Sequence, residues 1–215
     1  MATAAVLTEA LQRRFGDFKA FQLPVAIIFA VTGISQANAL VTDIQVGYFD
    51  RLLMTPIRRV ALLFGLMVAD LVLVMALTVP VLALGFAYGV RFETGIGGVL
   101  AFILLSGAWG VVFTGFPYAI ALKTGNPGAV ASSFILFFPF AFLTTSFLPK
   151  EALSGWLSAV ATVNPVTYLL EGLRALVTEG WVAADLGAAV LAVVGVGIVS
   201  MGLALATLRG RVKRG

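Results

Sequence analysis

The chain has 215 residues, 60% of them hydrophobic and 11% charged, with a formal net charge of +4, and its mean hydropathy is +1.06. A soluble domain carries about 25% charged residues, so this composition excludes a water-soluble surface and predicts an all-α polytopic membrane protein. With no Cys and no His, disulfides, thiolate chemistry, the commonest metal ligand and the commonest general acid/base are all excluded.

Residues 1–20 lack the uninterrupted apolar core of a cleavable signal peptide. Val6, Leu7, Ala10 and Leu11 fall at helical spacing there, which suits an interfacial arm. A spanning helix needs about 20 mostly apolar residues, and five segments qualify: Phe21–Thr42, Ala61–Gly89, Gly95–Leu122, Val130–Leu148 and Val182–Leu208. The first carries Ser35, Gln36 and Asn38 in its second half, groups that are costly against lipid and are expected to face protein or water. The second contains Asp70, about ten residues in and so near the midplane, and Pro80, which is expected to kink it.

Between the first two spans lies GYFDRLLMTPIRR, residues 47–59. Gly47 permits a sharp exit. Tyr48, Phe49, Leu52 and Leu53 share one face of a short helix, with Asp50 and Arg51 elsewhere. Thr55-Pro56 reads as an N-cap followed by proline at the first helical position, restarting a helix that runs into the second span. Spacing leaves two readings of this block open: a docked helix that transmits a push, or a basic loop that anchors topology.

Residues 149–181 hold two apolar runs too short to cross, Trp156–Val163 and Val166–Val177, separated by the turn Asn164-Pro165. Thr167, Glu171, Arg174 and Thr178 form one polar stripe on the second run. The pattern predicts an amphipathic helix at the outer interface or a re-entrant pair. With five spans, the 47–59 block, Lys123 and the C-terminus share one side, which holds eight of the 14 basic residues. That bias puts them in the cytoplasm and the N-terminus outside.

Catalytic motifs are scarce. No glycine-rich loop ends in Gly-Lys-Ser/Thr, and Asp43 and Asp50 lack a histidine or third carboxylate to act with. Asp70 is a candidate for the translocation path or for a buried hydrogen bond to a neighbouring helix. The glycines at 107, 110, 115, 187, 195, 197 and 202 suit close helix packing. Phe134, Phe137, Phe138, Phe140, Phe142 and Phe147 suit lipid-facing or core bulk.

Three stretches resemble the permease subunits of ABC-2 type ATP-binding-cassette exporters, the family that includes daunorubicin-resistance and nodulation-factor export permeases. The 47–59 run is similar to the family's Gly-Thr-Leu-Glu-Arg-Leu-x-x-Thr-Pro-x-x-Arg, with Asp50 where Glu is usual. LPKEAL at 148–153 with Trp156 resembles Phe-Pro-x-x-x-Leu-Pro-x-Trp, though Ser154-Gly155 replaces the usual Pro. NPVTY at 164–168 followed by LRAL at 173–176 resembles Asn-Pro-Leu-Thr-Tyr and Leu-Arg-Ala-Leu. The similarity covers roughly residues 20–208 of one transmembrane domain that takes in the whole chain, 1–215.

The resemblance implies six helices per subunit, a second permease subunit, and two separate ATP-binding subunits that carry ATP and Mg, with no cofactor on this chain. It implies that Tyr48, Phe49, Asp50, Arg51, Leu52, Leu53, Thr55, Pro56, Arg58 and Arg59 couple to the ATPases. It makes Trp156, Asn164, Pro165, Tyr168, Glu171 and Arg174 an outer-face hairpin. Phe21–Thr42 aligns with the family's second helix, so the family's first is expected to be missing, by truncation or as a five-helix variant. The expected function is export of an amphipathic or lipid-like substrate (a drug, glycolipid or lipid-linked saccharide) across the bacterial inner membrane. No ATPase activity of its own and no nucleic-acid partner are expected. The alternative is an ion-coupled secondary transporter using Asp70, which needs more intramembrane ionisable groups and an internal repeat.

Overall fold

A computed structural model describes residues 18–212 apart from 57, 136 and 147–154. Among the described residues there are eleven helices and no strand: α1 (Phe18–Thr32), α2 (Ala37–Gln45), α3 (Tyr48–Leu53), α4 (Arg59–Ala87), α5 (Gly95–Phe113), α6 (Gly115–Thr124), α7 (Pro127–Ile135), α8 (Phe137–Phe142), α9 (Gly155–Val163), α10 (Pro165–Thr178) and α11 (Ala183–Val212). Most of the N-terminal arm, Phe147 and the 148–153 string lie outside the described residues.

Four stretches are long and apolar enough to cross a membrane: 19–45, 60–87, 95–124 and 183–211. The chain is therefore a multi-pass membrane protein. The expected span Val130–Leu148 is seen as a shorter apolar run, Pro127–Phe142, and its end lies outside the described residues. The first span is not one rod. It breaks at 33–36, between α1 and α2. The third changes helix at Thr114, whose hydroxyl donates to the Val111 carbonyl at 2.7 Å. By contrast α4 continues through Pro80 to Ala87, and α11 runs 30 residues without interruption.

The core divides into two clusters. One gathers Ile27, Ile28 and Val31 of α1, Val74, Phe102, Trp109, Phe113, Val193 and the apolar face of α10. The other gathers Leu40, Val41 and Ile44 of α2, Phe49 of α3, Leu63, Tyr118, Leu122, Val130, Ala204 and Leu208. Each of the four spans passes from one cluster to the other, and the crossover points are polar. They are Gln36 in the first, Asp70 in the second, Thr114 in the third and Ser200 in the last, with Asp70, Thr114 and Ser200 at most 1% exposed. A thin polar layer thus separates two apolar bodies.

Close approach of backbones holds the layer together. A Cβ on Gly115 would lie 2.6 Å from the Ser200 backbone carbon, and the Ser200 hydroxyl donates to the Val112 carbonyl at 2.5 Å. Gly110 packs on Val74 and Val31, Gly107 on Leu71 and Met75, and Gly197 on Val112. The expectation of tight packing fails for Gly187, Gly195 and Gly202. A Cβ on any of these meets nothing within 4 Å, because the three lie on the outward side of α11. The phenylalanines divide as core and outer bulk: Phe137 is buried in edge-to-face contact with Phe29 and Phe113, while Phe138, Phe140 and Phe142 face outward.

Gly115→Val is expected to lower stability by about 1–3 kcal/mol, since the clash is with backbone that cannot rotate away. Gly195→Ala, on the open side, is expected to leave the thermal unfolding midpoint in detergent unchanged. Equal midpoints for both variants would contradict the packing described.

Candidate functional site

The block between the first two spans begins at Gly47, whose φ of +72° is a left-handed turn that a side chain would strain. α3 follows as expected from the spacing of its apolar residues. Phe49 is 2% exposed and packs with Leu53 against the second cluster, anchoring the helix, whereas Tyr48 and Met54 point outward. Leu52 is half-buried, and Asp50 and Arg51 are exposed. The expected restart at Thr55-Pro56 is not observed. The Thr55 hydroxyl donates to the Leu52 carbonyl at 2.6 Å, closing α3 behind it, and α4 begins only at Arg59 after extended Arg58. The Thr55 backbone N–H and hydroxyl both donate to the Leu52 carbonyl, which holds the residue in the closing turn of α3 rather than at the head of the next helix.

One contact of this block was absent from the sequence reading. The Arg211 guanidinium donates to both Asp50 oxygens, at 3.2 and 3.0 Å, tying α3 to the end of α11. The Gln45 amide donates to the Gly125 carbonyl at 3.0 Å and ties the same region to the α6–α7 turn. The shared side of the three basic segments was the available signal: it places Asp50 and Arg211 at one membrane face.

Asp70 lies in the polar layer, fully buried. One carboxylate oxygen accepts from the Gln36 backbone N–H at 2.8 Å, and the other from the Tyr118 hydroxyl at 2.5 Å. Gln36 is the residue before the first turn of α2 and has no cap of its own side chain. Asp70 therefore supplies from a neighbouring helix the acceptor that a Glu or Gln at the third helical position supplies in a capping box, a position held here by Ala39. Just beyond, the Trp109 indole donates to the Thr32 hydroxyl at 3.0 Å, closing the end of α1. Asp70 thus makes buried hydrogen bonds to two neighbouring helices. Tyr118, Trp109 and Thr32 were not singled out from the sequence, because nothing local marks them.

The hairpin of α9 and α10 turns at Asn164, as its Asn-Pro signature predicts. The Asn164 side chain accepts from the Val166 N–H at 3.0 Å and donates to the Phe140 and Leu143 carbonyls at 2.6 and 3.0 Å. Pro165 occupies the first helical position. The Tyr168 hydroxyl donates to the Thr162 carbonyl at 2.5 Å, clasping the two helices together, and Trp156 is exposed. The expected interfacial helix is corrected on one point: the polar stripe does not face water. Thr167 and Arg174 are buried, as are most α10 residues, and only Thr178 is exposed at the end of the stripe, with Glu171 half-buried.

Arg174 carries this burial through its hydrogen bonds. It donates to the Thr145 carbonyl at 2.7 Å, the Thr145 hydroxyl at 3.1 Å and the Phe21 carbonyl at 3.3 Å, and its guanidinium lies 3.6 Å from the Phe21 ring centroid. Desolvation lowers its pKa to about 10, which leaves it charged at neutral pH.

A family model described as ABC-2 type transporter matches residues 4–178. The chain is 26% identical over 163 residues to a daunorubicin resistance ABC transporter permease protein of Streptomyces coeruleorubidus, covering 74% of this chain and 58% of that protein. It is 26% identical over 166 residues to a putative transport permease of Cyanophora paradoxa, covering 74% and 56%. A putative transport permease of Porphyra purpurea is 24% identical over 156 residues, covering 70% and 52%. The chain thus spans a little over half the length of these curated relatives. No solved structure matches it.

Removing Arg174 leaves buried carbonyls at Phe21 and Thr145 without this donor. Arg174→Ala is expected to lower stability by about 1.5–3 kcal/mol, read as the unfolding midpoint in detergent. Arg174→Lys is expected to recover only part of it, because an ammonium cannot reach both strands of the fork or stack on Phe21. Full recovery by Lys would show that charge alone suffices.

Proposed function

The chain belongs to the ABC-2 type transporter family, and on that premise we propose that it is the membrane-spanning permease of an ATP-driven exporter. Separate ATP-binding subunits hold ATP and Mg and dock on the 47–59 block; a second permease subunit completes the path. The membrane is the bacterial inner membrane, with the block and the end of α11 on its cytoplasmic face. The α9–α10 hairpin is then the outer-face element.

The observation that carries this reading is the construction of the block. A six-residue helix is anchored by one buried ring, Phe49, and presents Tyr48, Arg51 and Met54 outward. Asp50 links it to the last span and Gln45 links it to the third. A push on α3 therefore reaches three spans at once, which suits a two-state element driven from outside the membrane.

An amphipathic or lipid-like substrate fits the interior. Asp70 in the polar layer is already satisfied by two donors, and no other Asp, Glu, Lys or Arg is buried within the four spans among the described residues. The Streptomyces coeruleorubidus relative is named for daunorubicin resistance, which supports a drug-like substrate. The ion-coupled alternative gains nothing from Asp70, which is engaged in joining helices. Among the described residues no group of three acidic, His or Cys side chains gathers to hold a cation.

Pull-down of the tagged chain from its native membranes is expected to recover an ATP-binding-cassette ATPase identified by mass spectrometry. The Arg51→Ala, Tyr48→Ala double variant is expected to recover at least about tenfold less, a loss of about 1.4 kcal/mol. Equal recovery by wild type and variant would remove the block as the docking site. Failure of wild type to recover any such ATPase would remove the reading itself.

A further inference from the structure

The polar layer lies where two of the four spans are interrupted. α1 and α2 part at 33–36, and α5 and α6 part at Thr114. At the same level the apolar core changes from one cluster to the other, while α4 and α11 run through as unbroken posts. The body on one side contains α2 and the buried anchors of α3; the body on the other contains α1 and the hairpin helix α10. Ordinary spans packed as a single core would need no such seam.

From this arrangement we infer that Asp70 is a positioning residue for coupling: it holds the hinge between two rigid bodies, so that α2 and α3 move as one lever about the break at 33–36. Resting on the reading above, this assigns the step by which a push on the block reaches the far body. The lever is short and stiff. α2 has nine residues, Gly47 joins it to α3 in a fixed turn, and Gln45 and Asp50 hold its free end to α6–α7 and α11. Its pivot is the Gln36 N–H, which in lipid must find an acceptor or pay several kcal/mol. Asp70 provides that acceptor, and the Tyr118 hydroxyl on its other oxygen sets the carboxylate's angle from the body that contains the lever. A carboxylate facing the start of α2 also meets the positive end of the helix dipole, which favours retaining the contact as the helix swings.

Asp70→Leu removes the acceptor and keeps the volume apolar. Asp70→Asn keeps an oxygen for the Gln36 N–H. Because the chain has no Cys, spin labels can be introduced at will. One pair, at Ala26 and Val46, spans the break; a second, at Val46 and Lys123, lies within one body, and all three positions are exposed. Distances are measured by pulsed electron paramagnetic resonance on the full chain in lipid nanodiscs, alone and with its ATPase trapped by ATP and vanadate.

For Asp70→Leu, the 26–46 distribution is expected to broaden and its nucleotide-dependent shift to vanish, while 46–123 stays as in wild type. The complex is expected to keep ATP hydrolysis while the shift is lost, which a merely destabilised fold would not do. Asp70→Asn is expected to restore the narrow 26–46 distribution. Should Asp70→Leu fail to fold, Tyr118→Phe serves, since it removes one of the two bonds and is expected to broaden 26–46 alone. Unchanged 26–46 widths in the folded variants, or equal broadening of both pairs, overturns the hinge. Absence of any ATPase partner overturns the exporter reading instead and leaves the comparison of widths in the isolated chain as a complete test.

Discussion

A helix interrupted inside a membrane frees backbone groups that lipid cannot satisfy. This chain interrupts its first span, and the structure depends on how the break is closed. The Gln36 N–H at the head of α2 is accepted by Asp70 from α4, and the Thr32 hydroxyl at the foot of α1 is gripped by Trp109 from α5. A carboxylate at mid-span is costly in isolation. Here it is offset by two donors and by the end of a helix, so its role is to make the break tolerable. The polar layer follows from that choice. Once Asp70 and Tyr118 sit at this level, the apolar side chains around them segregate above and below.

Arg174 applies the same logic at the other buried charge. Glu171, three residues before it on α10, supports its charge. The guanidinium also collects two carbonyls, that of Phe21 in the first turn of α1 and that of Thr145 in the turn beyond α8. A planar fork suits that work better than an ammonium, and burial lowers its pKa without discharging it. Two charged residues thus mend backbone discontinuities, one with acceptors and one with donors.

How much of this is legible in the sequence follows from whether a signal is local. Hydropathy marks four of the five expected spans, Gly47 marks the turn into α3, and Asn164-Pro165 marks the hairpin, because each is a property of adjacent residues. The break at 33–36 is only half legible: Ser35 and Gln36 are visibly polar, but the acceptor of the Gln36 N–H lies 34 residues away. Thr55-Pro56 does not start a helix because the Thr55 N–H and hydroxyl both close α3 on the Leu52 carbonyl, a use that the same two residues suit equally well. The polar stripe of α10 misled for a different reason. In water a polar face points out, but within a bundle in lipid the polar face is the one that needs protein partners, so the amphipathic pattern located a stripe and not its direction.

The block at 47–59, the proposed docking element, is held on modest terms. Its link from Asp50 to Arg211 has one partner about half-exposed, and pairs of that kind contribute at most about 1 kcal/mol. What seats α3 is Phe49, whose burial stabilises by about 1.5–3 kcal/mol. The pair therefore sets direction more than affinity: two parallel hydrogen bonds fix the angle between α3 and α11 while leaving the helix free to be drawn by a stronger contact. An element meant to receive force should be stiff within itself and lightly tied to its surroundings. On the proposed reading, a six-residue helix behind a fixed glycine turn, with one buried ring and one exposed ion pair, meets both conditions, and the long unbroken α11 at the other end of that pair would carry the displacement past the polar layer.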